Sequence, residues 1–86
     1  MVTNVYSYSD IAAVVVSALQ EAFPHAAIET EEGMGGRVHV KIVCSCFNEK
    51  SEREKQAMVW GVVNRLPEPT PQAVSFILAY GFDELP

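Results

Sequence analysis

Ile11, Val14, Val15, Ala18, Leu19, Ala22 and Phe23 recur at three- and four-residue spacing. That period places them on one stripe of an amphipathic helix. Ser7 or Ser9 is positioned to cap it, the first turn falls near Asp10, and Pro24 biases the residue before it away from helical angles, so the helix is predicted to stop there. The period then changes. Ile28 to Thr30 predicts a short strand with polar flanks. Gly33-Met34-Gly35-Gly36 predicts a hairpin loop, because glycine adopts the positive φ that a tight reversal needs. From about Arg37 to Cys46 the chain alternates. Val38, Val40, Ile42, Cys44 and Cys46 share one face of a strand, and Arg37, His39, Lys41, Val43 and Ser45 share the other.

Ser51 opens a second helix, with Glu54 at the spacing of a capping box. Met58, Val59, Val62, Val63 and Leu66 form its apolar stripe. Pro67, Pro69 and Pro71 end it and make a stiff connection. Val74 to Tyr80, almost continuously apolar, predicts the last strand, and Asp83 to Leu85 a final turn. The order is α-β-β-α-β. Two amphipathic helices and three strands bury their stripes best with both helices on one face of the sheet. The predicted fold is therefore α+β, with a three-stranded mixed sheet and helices packed on one face.

Size and charge narrow the picture. The chain has 86 residues, 49% of them hydrophobic, and a net charge of −5. That length predicts a single domain over residues 1–86, with 1–8 a poorly ordered segment, and a thin core. The acidic balance argues against coating nucleic acid by charge alone. No apolar run reaches the ~20 residues that span a bilayer. The first residues, MVTNVYSYSD, show no export signal, so the expected location is cytoplasmic and the two cysteines are expected as thiols.

Cys44 and Cys46 fall on the predicted core face, where thiols behave as small hydrophobes. The alternative is a thiol- or metal-binding pair. A C-x-C pair offers two thiolates where a closed zinc site takes four ligands, and His39 points to the opposite strand face. His39, Cys44 and Cys46 thus remain scattered metal candidates, and no metal site is predicted. Arg37, His39 and Lys41 form a basic stripe, either a solvated face or a nucleic-acid contact. Gly33 to Gly36 matches the G-x-x-G of a KH clamp in form, but it lies between strands, where a plain loop fits better. Trp60 falls at the margin of the second helix, near Arg53, Gln56 and Asn64, as core cover or as an interface anchor. No catalytic constellation is visible, and an enzyme is not expected.

Three strings, EAFPHAAIE, VKIVCSCFNEKSEREKQAMVWGVV and QAVSFILAYGFDEL, resemble the BolA family in order and spacing over about Asp10 to Leu85. Phe47, Lys50 and Ser51 match its F-x-x-K-S turn, and Glu54 and Val59 match its following helix. The resemblance implies a type II KH-like fold and a protein partner of the monothiol glutaredoxin kind. It also implies a possible shared [2Fe–2S] cluster held by a histidine at the start of the last strand and a second ligand at or before strand two. Here Gln72 stands at the first position and Arg37 near the second, with His39 two residues on along the same face. The helix's E-R-H is Glu54-Lys55-Gln56. An amide is a poor iron ligand, so cluster binding is not favoured and no cofactor is expected.

The expected function is a non-enzymatic BolA-like adaptor or regulator, monomeric or weakly dimeric, contacting its protein partner through Arg53, Gln56 and Trp60. The alternatives are a KH-like nucleic-acid binder using Arg37, His39 and Lys41, and a thiol- or metal-binding protein using Cys44 and Cys46.

Overall fold

The computed structural model describes residues 6–85. Of the segment expected to be poorly ordered, residues 1–5 lie outside the described residues, whereas Tyr8 already opens the first helix.

Helix α1 runs Tyr8–Ala22, with Ser7 at its N-cap and Phe23 just past its end. Ile11, Ala12, Val15 and Leu19 are its buried residues. On a 3.6-residue helix they span an arc of roughly 100°, the width of face that one packed neighbour covers. Val14 lies outside that arc and is 43% exposed, so the predicted stripe is corrected toward Ala12. Beyond the helix the Gln20 amide lies within 3.1–3.3 Å of the carbonyls of Phe23, Pro24 and Ala26, which fixes the exit of the chain.

Strand β1, Ala27–Glu32, is longer than the sequence pattern predicts. It pairs antiparallel with β2, Val38–Val43. The glycine loop closes the hairpin as expected, through a single turn at Met34–Gly36 with Gly35 at φ 71° and Gly36 at φ 80°. Gly36 has a second constraint: a Cβ there would run into the Tyr6 carbonyl. Val38, Val40 and Ile42 are fully buried on the inner face of β2.

Strand β2 stops three residues short of the predicted Cys46. The Cys44 N–H still donates to the Tyr80 carbonyl at 3.0 Å, but Ser45–Phe47 then wind into a 3-10 turn. The turn swings Phe47 into the core, fully buried, with its ring centroid 5.5 Å from that of Phe23. Burying a phenylalanine is worth about 1.5–3 kcal/mol, more than continued alternation would return with a cysteine at position 46. Cys44 therefore keeps its core position, while Cys46 is exposed, contrary to the strand pattern.

Helix α2, Glu52–Val63, starts with the predicted capping box: the Glu54 N–H donates to Ser51 Oγ at 3.1 Å, and the Ser51 N–H to Glu54 Oε1 at 2.9 Å. It buries Lys55, Val59 and Val63. The proline-rich connection is not wholly irregular. It contains a short helix, α3, at Thr70–Ala73, with Thr70 and Ala73 buried. Gln72 belongs to α3 and precedes the last strand rather than opening it. Strand β3, Val74–Tyr80, has the predicted bounds and pairs parallel with β2, giving the sheet order β1-β2-β3. A final turn at Phe82–Glu84 follows. The fold is α+β, a three-stranded mixed sheet whose buried face meets the helices. No helix among the described residues is long and apolar enough to cross a membrane.

Candidate functional site

The face of the sheet turned away from the helices brings acidic, basic and aromatic side chains together. Alternation brings His39, Lys41 and Val43 of β2 to this face. On β3 a register irregularity near Val38 and His39 passes over Ser75, so Val74 and Ile77 both point inward while Phe76, Leu78 and Tyr80 point outward. The pairing then sets rows across the sheet: Glu31, His39 and Phe76 in one, Glu29, Lys41 and Leu78 in the next, Ala27, Val43 and Tyr80 in the third. Read strand by strand, the face is acidic on β1, basic on β2 and aromatic or apolar on β3. A shallow cavity of about 190 Å³ lies across the first two rows.

Two contacts organise the middle of this face. The His39 ring stacks on Phe76, with centroids 4.2 Å apart and planes 29° from parallel. Its Nε2 edge lies against Gly33, where a Cβ would strike the imidazole. Lys41 Nζ stands 6.0 Å from the Tyr80 ring centroid, within cation–π range. The structure thus places His39 and Lys41 on one face as expected, and adds Phe76 and Tyr80, which the pattern missed. The almost unbroken apolar run of β3 hid their alternation.

Arg37 lies at the upper margin of the same face. Its guanidinium carbon is 5.5 Å from the Tyr6 ring centroid, and its Nη1 donates to the Gln72 carbonyl at 3.3 Å. The two positions that the BolA resemblance would make ligands are therefore neighbours in space, 35 residues apart in sequence. A guanidinium has no lone pair to give a metal.

The three residues expected to contact a partner all belong to α2, but they are not equivalent. Trp60 is half-buried and donates from Nε1 to Gln56 Oε1 at 3.0 Å. Gln56 in turn donates to the Ile77 carbonyl at 2.8 Å and to Glu52 at 3.1 Å. This chain of bonds ties α2 to the outer edge of β3. Arg53 is exposed, and it is the member of the set that presents its side chain to solvent.

Cys44 and Cys46 are bonded to each other, which corrects the expectation of thiols. Cys44 is on the helix-covered side and His39 on the open side, so the scattered metal candidates do not meet. Among the described residues no group of three or more His, Cys, Asp and Glu side chains is arranged to hold a metal ion.

One charged cluster escaped the sequence pattern. Lys55, 1% exposed, is ringed by Glu84 at 2.7 and 2.8 Å and Glu52 at 3.1 Å. The hydrogen bonds to Glu84 lead the causes that raise the lysine pKa above its ordinary value. The signal was available: Lys55 lies four residues before Val59 and eight before Val63, in line with the buried stripe.

Compared with family models and with curated proteins, the chain matches none.

Proposed function

We propose that this protein is a non-catalytic adaptor of the BolA kind, acting in the cytoplasm on a partner of the monothiol glutaredoxin type and contributing no ligand to a shared cluster. The observation that carries the reading is the contact between Arg37 and Gln72. Two positions far apart in sequence, which the family resemblance pairs, lie together where the parallel strands β2 and β3 begin, with the Arg37 side chain reaching the Gln72 main-chain carbonyl. The element order α-β-β-α-α-β, with β2 and β3 parallel, supports the same reading. At that place a guanidinium and an amide replace imidazole or thiolate donors, so the docking function is separated from metal binding. Arg53 and the exposed rim of Trp60 are the contact residues, and Gln56 holds Trp60 in position.

Titration calorimetry with an apo monothiol glutaredoxin tests this reading. The expected result is a one-to-one complex that Arg53→Glu weakens. Reconstitution with iron and sulfide should leave that complex without lasting visible absorption. Absence of any complex at high micromolar concentration would remove the adaptor reading.

A second reading rests on the sheet face. Lys41 beside Tyr80 and Arg37 beside Tyr6 interleave cations with aromatic rings, and His39 stacks on Phe76. That is the chemistry by which single strands are held, bases on rings and phosphates on cations. Glu29 and Glu31 flank the stripe and oppose it. If the sheet face binds single-stranded RNA or DNA, binding weakens steeply with salt and is lost in Phe76→Ala. No binding at low salt would eliminate this reading.

A further inference from the structure

The disulfide joins Cys44 and Cys46 across a single residue, with Cα atoms 5.1 Å apart. That spacing is one a disulfide bridges without moving the backbone. A cross-link that closes so short a loop takes little freedom from the unfolded chain, so the bond is badly placed to stabilise the fold. Other contacts hold this region. Phe47 is fully buried, and its N–H donates to the Cys44 carbonyl at 3.0 Å. The Cys44 N–H donates to Tyr80 at 3.0 Å. Asn48 Oδ1 accepts from the Phe82 N–H at 2.6 Å, and the Glu49 N–H donates to Asp83 at 2.8 Å. The sulfur–sulfur bond can therefore open while the loop stays in place, leaving two thiols within reach of each other.

The two sulfurs differ in a way that suits exchange. Cys44 is 5% exposed, whereas Cys46 lies on the surface. The Cys46 N–H donates to Cys44 Sγ at 3.3 Å, so the buried sulfur has a hydrogen-bond donor beside it.

We propose that Cys44 and Cys46 form a redox-active pair that exchanges with dithiols, with Cys46 taking the attack and Cys44 leaving. The first substrate thiolate bonds to Cys46 Sγ. The Cys44–Cys46 bond breaks, and its electron pair goes to Cys44 Sγ, which then takes a proton. The second substrate thiolate attacks the substrate sulfur of the mixed disulfide. Cys46 leaves with that electron pair and is protonated. The substrate ends as a disulfide and the protein as a dithiol, with two electrons and two protons transferred. The exchange is stoichiometric, one disulfide per chain, so it does not conflict with a non-catalytic adaptor, and it is independent of that reading, since it uses neither α2 nor the Arg37–Gln72 contact.

The test equilibrates the full chain in graded mixtures of reduced and oxidised glutathione, quenches by alkylation, weighs the intact protein and maps the adducts. The expected result is a two-electron transition inside the glutathione range, where inert structural disulfides stay oxidised. Mixed disulfide caught in wild-type protein should sit on Cys46, and the melting temperature should barely move on reduction. Cys44→Ser should accumulate glutathione on Cys46, while Cys46→Ser should acquire it about tenfold more slowly, its thiol being shielded. A pair that stays oxidised throughout, or never oxidises, overturns the proposal. So does mixed disulfide on Cys44 in the wild-type protein, or a fold that melts on reduction. The wild-type measurements decide the matter even if Cys44→Ser fails to fold.

Discussion

The ammonium of Lys55 donates to both carboxylate oxygens of Glu84, at 2.7 and 2.8 Å, across 29 residues of chain. Glu84 Oε1 also accepts from the Gly81 N–H at 2.9 Å. One acidic side chain therefore fastens the end of β3 and the final turn to the buried side of α2. The Lys55 side chain is almost fully buried, so carboxylates rather than water satisfy its ammonium.

This clasp gives stability a definite pH dependence. The Lys55 ammonium, ahead of the Gly81 N–H, holds the Glu84 carboxyl below the ordinary glutamate value of 4.5. A folded value below the unfolded one means that the contribution is complete above about 4.5 and is lost as pH falls through the folded value. Glu52 and Glu54 shift the same way, the first chiefly through Lys55 and the second through the Ser51 N–H, so they share the acid limb. Lys55 lies above its ordinary 10.5, chiefly through Glu84, so its contribution is complete below 10.5 and is lost as pH rises through the folded value. Melting temperature against pH should fall at both ends, and Glu84→Gln should flatten both limbs in part. Limbs superposing on those of the parent would show that the clasp adds nothing.

Ser51 caps α2 one turn before Lys55. Its hydroxyl accepts from the Glu54 N–H and caps the first turn. Ser51→Ala should cost ~0.5–2 kcal/mol, and Ser51→Asp should recover most of it. The urea midpoint at constant m-value measures both.

How much of this was legible varies from element to element, for physical reasons. The capping box and the bounds of β3 could be read because local spacing decides them. The winding of Ser45–Phe47 could not, because it depends on Phe47 finding a cavity beside Phe23, a contact between distant segments. For Lys55 the spacing to Val59 and Val63 showed its place in the stripe, but not its partner, because Glu84 arrives from the far end of the chain. On the sheet face, the basic stripe was visible in the alternation of β2. Phe76 and Tyr80 were not separable from Ile77 and Ala79 until a register irregularity set their direction.

The glycine loop separates two costs that usually travel together. Gly35 has φ 71° with open space around it, whereas Gly36 has φ 80° and the Tyr6 carbonyl where a Cβ would go. Gly35→Ala meets the left-handed backbone penalty alone, about 1–2 kcal/mol, and Gly35→Asn should recover part of it. Gly36→Ala adds a collision with backbone and should be clearly worse, with Gly36→Asn giving no relief. Equal effects at the two positions in thermal melts would argue against the placement of Tyr6 over the loop.

The contact between Arg37 and Gln72 makes a gain of function testable. A [2Fe–2S] cluster needs imidazole or thiolate on each iron, and this pair offers neither. His39 is a poor substitute, because its ring stacks on Phe76 and its Nε2 edge lies against Gly33 on the sheet face. If positions 37 and 72 are the ligand positions of the BolA resemblance, histidine at both rebuilds the site. The parent mixed with a monothiol glutaredoxin, iron and sulfide should therefore stay colourless after desalting. Arg37→His with Gln72→His should retain visible absorption in the heteromeric fraction, and either change alone should retain less. A double variant that binds the partner yet stays colourless would show the ligand positions to be misassigned. A coloured parent would show that the cluster takes its ligands elsewhere in the chain.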